Sequence, residues 1–308
     1  MNAFFMIVFV LGWASPAQAF QDEGLLGHES SRSLDSIAAG PESPGDVSSA
    51  PSASQAQLWK RGDPPPTITG FAFVHVNAQG CPEYELALTE QITMTFVLVP
   101  AGTYEVGAAK DAFGGRYDPT PPCQVTLVAF LLAQTECTQL QWRAVMDSNP
   151  SRFSTAGQYA PVESVSWRDV QAYLRKTGLS LPSSTQWEVA ARAGSRRRDA
   201  GPFDAVAWHR GNSDQRVHPV GAKRPNGFGF FDMLGNVREW CEDSNFTTAA
   251  SEAPTDGSPK LLPKSPLRSL RGGGWFSPKS SCDARIRDAF MDYARSPNVG
   301  FRAMHALP

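Results

Sequence analysis

Cysteine and histidine are the residue types in this chain that can act as nucleophiles, metal ligands or proton carriers. The five cysteines are Cys81, Cys123, Cys137, Cys241 and Cys282. An odd number of cysteines leaves at least one thiol outside any disulfide bond within a monomer. The five histidines are His28, His75, His209, His218 and His305. His209 and His218 flank an Asn-containing turn, but we recognise no partner for them in an iron-binding facial triad, so we expect ordinary surface or core histidines.

The composition excludes several classes of protein. The chain has 308 residues and a formal net charge of −2, which argues against a nucleic-acid binder that works by bulk charge. With 26 glycines, 25 prolines, 18 phenylalanines and 8 tryptophans, the sequence predicts a loop-rich domain held by aromatic side chains, and not a helical bundle. Five cysteines are too few for a disulfide-built scaffold of this length.

The N-terminal residues resemble an export signal. Phe4 to Gly12 form an apolar run that is too short to span a membrane, and Ala17-Gln18-Ala19 is a small-x-small cleavage signal. We therefore predict a cleavable signal peptide over residues 1–19 and a periplasmic protein, with an uncleaved anchor as the alternative. No later segment is apolar over the roughly 18 residues that a membrane span needs.

A change in composition marks the start of the folded domain. The segment from Pro41 to Gln55 is dominated by Pro, Ser, Ala and Gly, and three prolines end at Pro66. Such a segment cannot bury enough apolar surface to offset its ordering entropy, so residues 20–66 are predicted to be a flexible linker and residues 67–308 the domain. Leu58 and Trp59 are either a short element that docks on the domain or a partner, or incidental apolar residues of the linker.

Apolar runs and capping residues predict both strands and helices. The predicted strands are Phe71–Val76, Thr93–Val99 and Gln124–Leu132. The predicted helix starts are Thr138 before Gln139–Met146, Ser166 with Asp169, and Thr185 with Glu188; the second helix stops at Gly178 and the third before Gly194. Beyond Gly194 the sequence indicates turns and short strands only.

Several segments resemble the formylglycine-generating-enzyme/sulfatase-modifying-factor family. They are FVLVPAGTY from Phe96, PVESVSWRDV from Pro161, LPSSTQWEVAARAG from Leu181, NGFGFFDMLGNVREW from Asn226, RGGGW from Arg271 and GFR from Gly300. The resemblance extends from about Thr93 to the C-terminus, with the segments in family order. It implies an α+β, C-type-lectin-like formylglycine-generating-enzyme fold that is irregular and low in regular secondary structure.

The resemblance also predicts whether the chain is an enzyme. In catalytic members of the family, two cysteines after the RGG segment bind copper and oxidise a substrate cysteine. The first position falls on Ser277 here and the second on Cys282. A hydroxyl is a poor ligand for Cu(I), so no copper is expected and the chain is predicted not to be an enzyme. Cys282 stays as a candidate catalytic residue, with a buried thiol or a disulfide to Cys241 as alternatives; a Cys81–Cys123 bridge is also open.

Family members further coordinate calcium near the GN.WEW turn. Carbonyl, amide and carboxylate oxygens are the ligands that Ca²⁺ takes. The corresponding residues here are Gly235, Asn236, Val237 and Glu239, with Asn212 as part of a second site. The resemblance thus implies structural Ca²⁺. The alternative is that these side chains only hydrogen-bond the backbone of the turn.

Within the family, the chain most resembles the periplasmic TagR-type regulators of type VI secretion, which promote activation of a membrane threonine kinase. This resemblance implies a non-catalytic accessory protein whose partner is the periplasmic part of a membrane kinase or an outer-membrane lipoprotein. The predicted partner-binding residues are Arg196, Arg197, Arg198, Ser277, Lys279, Arg285 and Arg287. The alternatives are a periplasmic oxidative tailoring enzyme, of the pyoverdine-maturation or formylglycine type, and a lectin-like binding module.

Overall fold

Short strands and three helices make up the fold in the computed structural model, which describes residues 56–107, 122–193, 202–244 and 254–308. The strands are Ala72–Val76 (β1), Pro82–Ala87 (β2), Thr93–Val99 (β3), Gly102–Val106 (β4), Cys123–Leu127 (β5), Phe130–Ala133 (β6), Ala207–Trp208 (β7), Leu234–Gly235 (β8), Arg238–Ser244 (β9), Leu267–Arg271 (β10), Asp288–Met291 (β11), Val299–Gly300 (β12) and Met304–Ala306 (β13). The α-helices in these ranges are Gln139–Met146 (α1), Trp167–Thr177 (α2) and Ser184–Arg192 (α3). The predicted signal peptide and the linker up to residue 55 lie outside the described residues.

The strands form two main sheets and two small pairs. The larger sheet has the order β1-β2-β3-β6-β13, and all of its strand pairs are antiparallel. The second sheet has the order β11-β10-β9-β12, with β12 parallel to β9. The strands β4 and β5 form a separate hairpin, and β7 pairs with β8. This is the predicted irregular α+β fold, and none of its described helices has the length and apolarity of a membrane span.

The larger sheet is buried on both faces at strand β3. Phe96 and Leu98 belong to one apolar cluster, while Val97 and Val99 belong to another. Successive side chains of a strand point to opposite faces, so a continuous apolar run is what a strand covered on both sides requires. The predicted strand Thr93–Val99 is confirmed for this reason.

One predicted strand is wrong. The segment Gln124–Leu132 is divided between the β4–β5 hairpin and the larger sheet, with a break at Val128 and Ala129. The Ala129 N–H takes no part in the hydrogen bonding of either sheet and donates to the carbonyl oxygen of Gln57 at 2.6 Å. The apolar run continues through the break, so the sequence does not show where one strand ends and the next begins.

The helix starts were predicted correctly in two cases of three. Thr138 caps α1 and Ser166 caps α2, each through a capping box, and Gly178 ends α2 in the left-handed conformation. In α3 the capping box is formed by Ser183 and Gln186, and not by Thr185 and Glu188. Both predicted capping residues instead lie inside the helix and are buried, and the Glu188 carboxylate faces a buried arginine.

The part of the predicted linker that the structure describes packs on the domain. Trp59 is 3% exposed, its indole N–H donates to the Asp63 carbonyl oxygen at 3.2 Å, and its own carbonyl oxygen accepts from Ala101 at 2.8 Å. Near the end of the segment, the Tyr84 hydroxyl donates to the carbonyl oxygen of Pro66 at 2.7 Å. The docked region therefore begins before the predicted domain boundary, and Trp59 is a docking element on the domain.

Replacement of Trp59 by alanine should destabilise the domain strongly. The change Trp59→Ala removes a buried indole and is expected to lower the free energy of unfolding by about 3–5 kcal/mol. Urea denaturation monitored by circular dichroism measures this loss. Leu58→Ala is the matched control, because the neighbouring Leu58 is 55% exposed and its loss should cost at most about 0.5 kcal/mol. Equal effects of the two changes would contradict the docking.

Candidate functional site

A turn of three glycines follows strand β10 and positions the loop that carries Cys282. Gly272 and Gly273 have φ angles of +90° and +73°, in the region that favours glycine. A Cβ atom on Gly273 would lie 2.7 Å from the Cys282 Sγ, which is too close for a carbon–sulfur contact. The glycine turn therefore lets the Cys282 thiol pack directly against the backbone.

Ser277 and Cys282 both lie inside this loop. Ser277 is 3% exposed, and its Oγ accepts a hydrogen bond from the Gly274 N–H at 3.0 Å. The Ser277 N–H donates back to the Gly274 carbonyl oxygen at 2.8 Å, which closes a tight turn. Cys282 has no exposed surface. Both side chains are buried in this conformation, which does not support the predicted role of Ser277 in partner binding; that role stays a prediction.

The cleft beside Cys282 is small. It lies between β10 and β11, its walls include Arg238, Arg271, Ser281 and Ile286, and its volume is about 30 Å³. A single water needs roughly 10–15 Å³ by this measure, so the cleft holds about two waters. Pockets for organic ligands are on the order of 300–1,000 Å³. A peptide substrate does not fit into this cleft.

A buried ion pair lies under the glycine turn. The Arg271 Nη2 donates to the Glu188 Oε2 at 2.6 Å and to the carbonyl oxygen of Ser184 at 2.8 Å. Its Nη1 donates to the carbonyl oxygens of Ala284 and Ile286, both at 3.1 Å. Burial opposes the charge on Glu188, but the charges of Arg271 and Arg287 and the hydrogen bonds that Glu188 accepts together outweigh it and lower the pKa of Glu188. This pair connects helix α3 to strand β10 and to the loop after Cys282.

In the Gly235–Glu239 turn, the Asn236 side chain and the Val237 N–H bond within the protein. The Asn236 Nδ2 donates to the Glu136 Oε2 at 2.7 Å, and the Asn236 Oδ1 accepts from the His218 N–H at 3.0 Å. The Val237 N–H donates to the Glu136 Oε1 at 2.9 Å. Gly235 has a φ of +95° and packs against backbone, so no side chain fits there.

The remaining predicted calcium ligands are also engaged. Both carboxylate oxygens of Glu239 accept from Arg302, at 2.8 and 2.9 Å, and one also accepts from the Trp187 indole at 2.6 Å. The Asn212 Oδ1 accepts from the His209 N–H at 2.8 Å. A calcium ion beside Glu239 would face the Arg302 guanidinium, so these residues do not fit the predicted site. The described ranges also contain no group of three His, Cys, Asp or Glu side chains that could hold a metal.

Two further carboxyl groups are buried near this ion pair. Burial, together with the charges of Asp232 and Glu239, raises the pKa of Glu136 well above its ordinary value. Burial also raises the pKa of Asp232 to about 6. The Asp232 Oδ2 accepts from the Gly221 N–H at 2.7 Å, while its Oδ1 has no partner in the part of the chain that the structure describes. Asp232 is therefore a buried acid that is only half satisfied.

The other predicted partner-binding residues are not gathered on one open face. Lys279 is half exposed and forms an ion pair with Asp204 at 3.1 Å. Arg285 binds Asp283 through two nitrogens, at 2.9 and 2.8 Å. The Nε and Nη2 of Arg287 are shielded from solvent, so these two atoms do not support its predicted role in partner binding, which stays a prediction. The three residues outside the described ranges are Arg196, Arg197 and Arg198.

All five cysteines are described, and no disulfide bond joins them. The bridges Cys81–Cys123 and Cys241–Cys282, which the sequence left open, are not formed. Burial raises the pKa of Cys81 and of Cys241, so both are held as thiols at neutral pH.

The sequence did not predict the buried ion pairs. Arg271 and Arg302 stand in recognised segments, but their partners Glu188 and Glu239 come from other segments 83 and 63 residues away. One feature of the sequence could have indicated these pairs: each arginine stands inside an otherwise apolar or glycine-rich motif. Such a charged residue indicates burial with an oppositely charged partner, but the motif does not identify the partner.

The comparisons with known proteins agree with this fold. A family model described as "Sulfatase-modifying factor enzyme 1-like domain" matches residues 85–307. The solved structure of PvdO from Pseudomonas aeruginosa is 25% identical, with a TM-score of 0.63, and covers 72% of this chain and 98% of that chain. Treponema denticola variable protein 1 is 24% identical with a TM-score of 0.64 over 72% of this chain and 98% of its own, which shows the fold alone.

Curated relatives differ in how much of them this chain covers. The "Chaperone protein LppX" of Paenibacillus barcinonensis is 25% identical over 271 residues, 68% of this chain and 89% of that protein. The formylglycine-generating enzyme of Streptomyces coelicolor is 35% identical over 166 residues, 46% of this chain and 51% of the enzyme. The "Serine/threonine-protein kinase pkn1" of Chlamydia pneumoniae is 31% identical over 146 residues, 46% of this chain and 23% of the kinase. The chain thus spans about half of that enzyme and a quarter of that kinase.

Replacement of Asp232 by asparagine should stabilise the protein above pH 6. The folded-state pKa of Asp232, about 6, lies above its ordinary value of 3.8, so the stability of the native protein falls as pH rises from about 4 to 6. The asparagine of Asp232→Asn does not titrate. The free energy of unfolding of this variant should exceed that of the native protein by about 1–3 kcal/mol at pH 8 and should equal it at pH 3.5. Thermal unfolding followed across this pH range measures the difference.

Asp232→Ala is the control for this prediction. Alanine also removes the charge, but it loses the acceptor of the Gly221 N–H and is strained at the φ of +55° that Asp and Asn tolerate. It should therefore destabilise the protein at every pH. A constant difference between Asp232→Asn and the native protein from pH 4 to 8 would show that Asp232 has an ordinary pKa.

Proposed function

Because the chain belongs to the sulfatase-modifying factor enzyme 1-like domain family, we propose that it is a non-catalytic accessory protein that works by recognising another protein. The position of the first copper-binding cysteine in the family carries Ser277, whose hydroxyl is buried and bonded to the Gly274 N–H. The position of the second carries Cys282, which is sealed against Gly273. One enclosed thiol and one hydroxyl do not supply the two-sulfur site that Cu(I) favours.

The outer side of the same loop supports a recognition role. Phe276 is 56% exposed, and its ring packs on Trp275 with the ring centres 5.4 Å apart. Phe153 also lies edge-on to Trp275, with the ring centres 5.3 Å apart. We call Phe153, Trp275 and Phe276 the aromatic row. Lys279 places a positive charge on the same loop. An exposed aromatic side chain on a rigid support is typical of an anchor in a protein interface.

The relatives support an accessory role at different levels. LppX is named a chaperone protein, and this chain matches it over 89% of its length. Serine/threonine-protein kinases of Chlamydia match this chain over about a quarter of their own length. A domain of this family thus occurs within one chain with a kinase, and we extend this association to a partner kinase on a separate chain.

The finer proposal is that this protein is exported to the periplasm and binds the periplasmic part of a membrane threonine kinase that controls type VI secretion. An outer-membrane lipoprotein is the other partner in this proposal. The bound protein can promote kinase activation only by binding the active state more tightly than the inactive state. The aromatic row would provide that differential contact.

Phe276→Ser should weaken partner binding without unfolding the domain. Loss of an aromatic anchor costs about 2 kcal/mol or more, so recovery of the kinase should fall at least tenfold. The measurement is recovery of the membrane kinase by the tagged full-length chain from envelope extracts, together with the phosphorylation state of the kinase. Leu58→Ser is the matched control, because Leu58 is equally exposed, at 55%, and lies in the N-terminal docking segment.

Metal analysis of the purified protein separates this proposal from an oxidase. The proposal predicts copper and iron well below one equivalent and no oxygen uptake with a cysteine peptide or a siderophore precursor. Stoichiometric copper or iron with oxygen uptake would contradict it and would favour an oxidative tailoring enzyme. Undiminished recovery of the kinase by Phe276→Ser would show that the aromatic row is not the contact surface.

A further inference from the structure

Four buried donor atoms near helix α3 lack hydrogen-bond partners. They are the Nε and Nη2 of Arg287, the Nε of Arg271 and the Oγ of Ser184, and none has a partner among the described residues. A buried N–H or O–H without an acceptor costs about 1–3 kcal/mol, and more when it belongs to a charged group. Native proteins leave few such groups, so several in one region require an explanation.

The four donors belong to one neighbourhood. The Arg271 Nη2 donates to the Ser184 carbonyl oxygen at 2.8 Å, and the Ser184 N–H donates to the Asp243 Oδ2 at 2.6 Å. Arg287 is close enough to interact electrostatically with Arg271, Asp243 and Glu188. The start of helix α3, the end of strand β10 and the residues before β11 therefore meet around the Arg287 guanidinium.

The carboxylates beside Arg287 are already engaged by other donors. The Glu188 Oε1 accepts from the Gly107 N–H at 2.6 Å and from Arg192 at 3.2 Å, and its Oε2 accepts from Arg271 at 2.6 Å. The Asp243 Oδ1 accepts from the Lys260 N–H at 3.2 Å, and its Oδ2 accepts from Ser184. These groups balance the charge of the region but leave the Arg287 edge without an acceptor.

The two unpartnered atoms of Arg287 determine what could bind. Nε and Nη2 form one edge of the guanidinium, and their N–H bonds run parallel. This edge matches the two oxygens of a carboxylate in a bidentate pair. Arg271 and Ser184 each add one further donor in the same region. The charges of this region already cancel, so a singly charged anion suits it better than a doubly charged phosphate; the charged residues are Arg192, Arg271, Arg287, Glu105, Glu188 and Asp243.

We propose that Arg287, with Arg271 and Ser184, binds the carboxylate group of a small monoanion in a site enclosed between helix α3 and strand β10. The proposal does not depend on the accessory function and concerns a different face of the loop from Phe276. Arg271 also lines the cleft of about 30 Å³ between β10 and β11, whose walls include Ile286 and Asp288 on either side of Arg287, but not Arg287 or Ser184 themselves.

Thermal unfolding of the full chain with added anions tests this site. Sodium formate and sodium acetate should raise Tm by several degrees in a saturable way, at constant ionic strength and against sodium chloride. Sodium sulfate and phosphate should give less than a tenth of the apparent affinity. Line broadening of ¹³C-labelled acetate in NMR spectra gives an independent dissociation constant that does not depend on unfolding.

Variants distinguish the bidentate edge from charge alone. Arg287→Lys keeps the charge but loses the parallel N–H pair, and should weaken acetate binding at least tenfold. Ser184→Ala removes one donor that has no acceptor among the described residues, so it should fold normally and bind acetate several-fold more weakly. Arg285→Lys is the control; Arg285 lies two residues away, is engaged by Asp283, and its change should leave acetate binding intact.

Three results would overturn the proposal. They are the absence of a saturable effect of formate and acetate, equal effects of sulfate and acetate, and unchanged acetate binding by Arg287→Lys. The first would mean that solvent alone satisfies these donors. If Arg287→Lys does not fold, Ser184→Ala and the anion selectivity of the native protein decide the question, and unchanged acetate binding by Ser184→Ala with no selectivity for acetate would also overturn it.

Discussion

The buried pair of Arg302 and Glu239 is the interaction on which the rest of the described structure depends. The Arg302 guanidinium has no exposed surface and donates to both oxygens of Glu239 and to the carbonyl oxygens of Ala133, Gln134 and Phe231. These acceptors lie on strand β9, at the end of β6 and in the loop before β8. Removal of two charges from water costs several kcal/mol per ion, and such a pair is tolerated only when its remaining hydrogen-bond groups are satisfied. Here one guanidinium connects the two main sheets through its donors.

The same buried pair explains why the residues present do not fit the predicted calcium site. Glu239 and Asn236 are oxygen ligands by type, but their oxygens accept from Arg302, Trp187 and His218. The positive charge beside the Glu239 carboxylate is the guanidinium of Arg302, the last residue of the GFR segment. Burial raises the pKa of the neighbouring acid Glu136 well above its ordinary value and that of Asp232 to about 6, although the Arg302 charge lowers both.

A second buried pair, Arg271 with Glu188, supports the loop on which the functional proposals rest. It holds helix α3 against β10, and the glycine turn after Arg271 brings Cys282 into contact with the backbone. The loop thus has a closed inner side and an outer side that presents Phe276 and Lys279. Enclosure of the thiol and exposure of an aromatic ring are consequences of the same turn. A family fold is compatible with different functions, because function depends on the side chains of a site and not on the fold that carries them.

The sequence by itself determined the elements whose signals are local. The caps of α1 and α2 join residues three apart, strand β3 is one continuous apolar run, and the family motifs indicated an irregular α+β fold; all of these are confirmed. Tertiary structure decided the rest, since its contacts join residues far apart in the chain. Glu188 was predicted to belong to the capping box of helix α3, but it pairs with Arg271, 83 residues away. Ser183 is the residue that caps this helix. Trp59 docks on the domain, the strand from Gln124 divides between two sheets, and Arg287 turns inward, because burial and partner choice are properties of the assembled fold and not of any short segment.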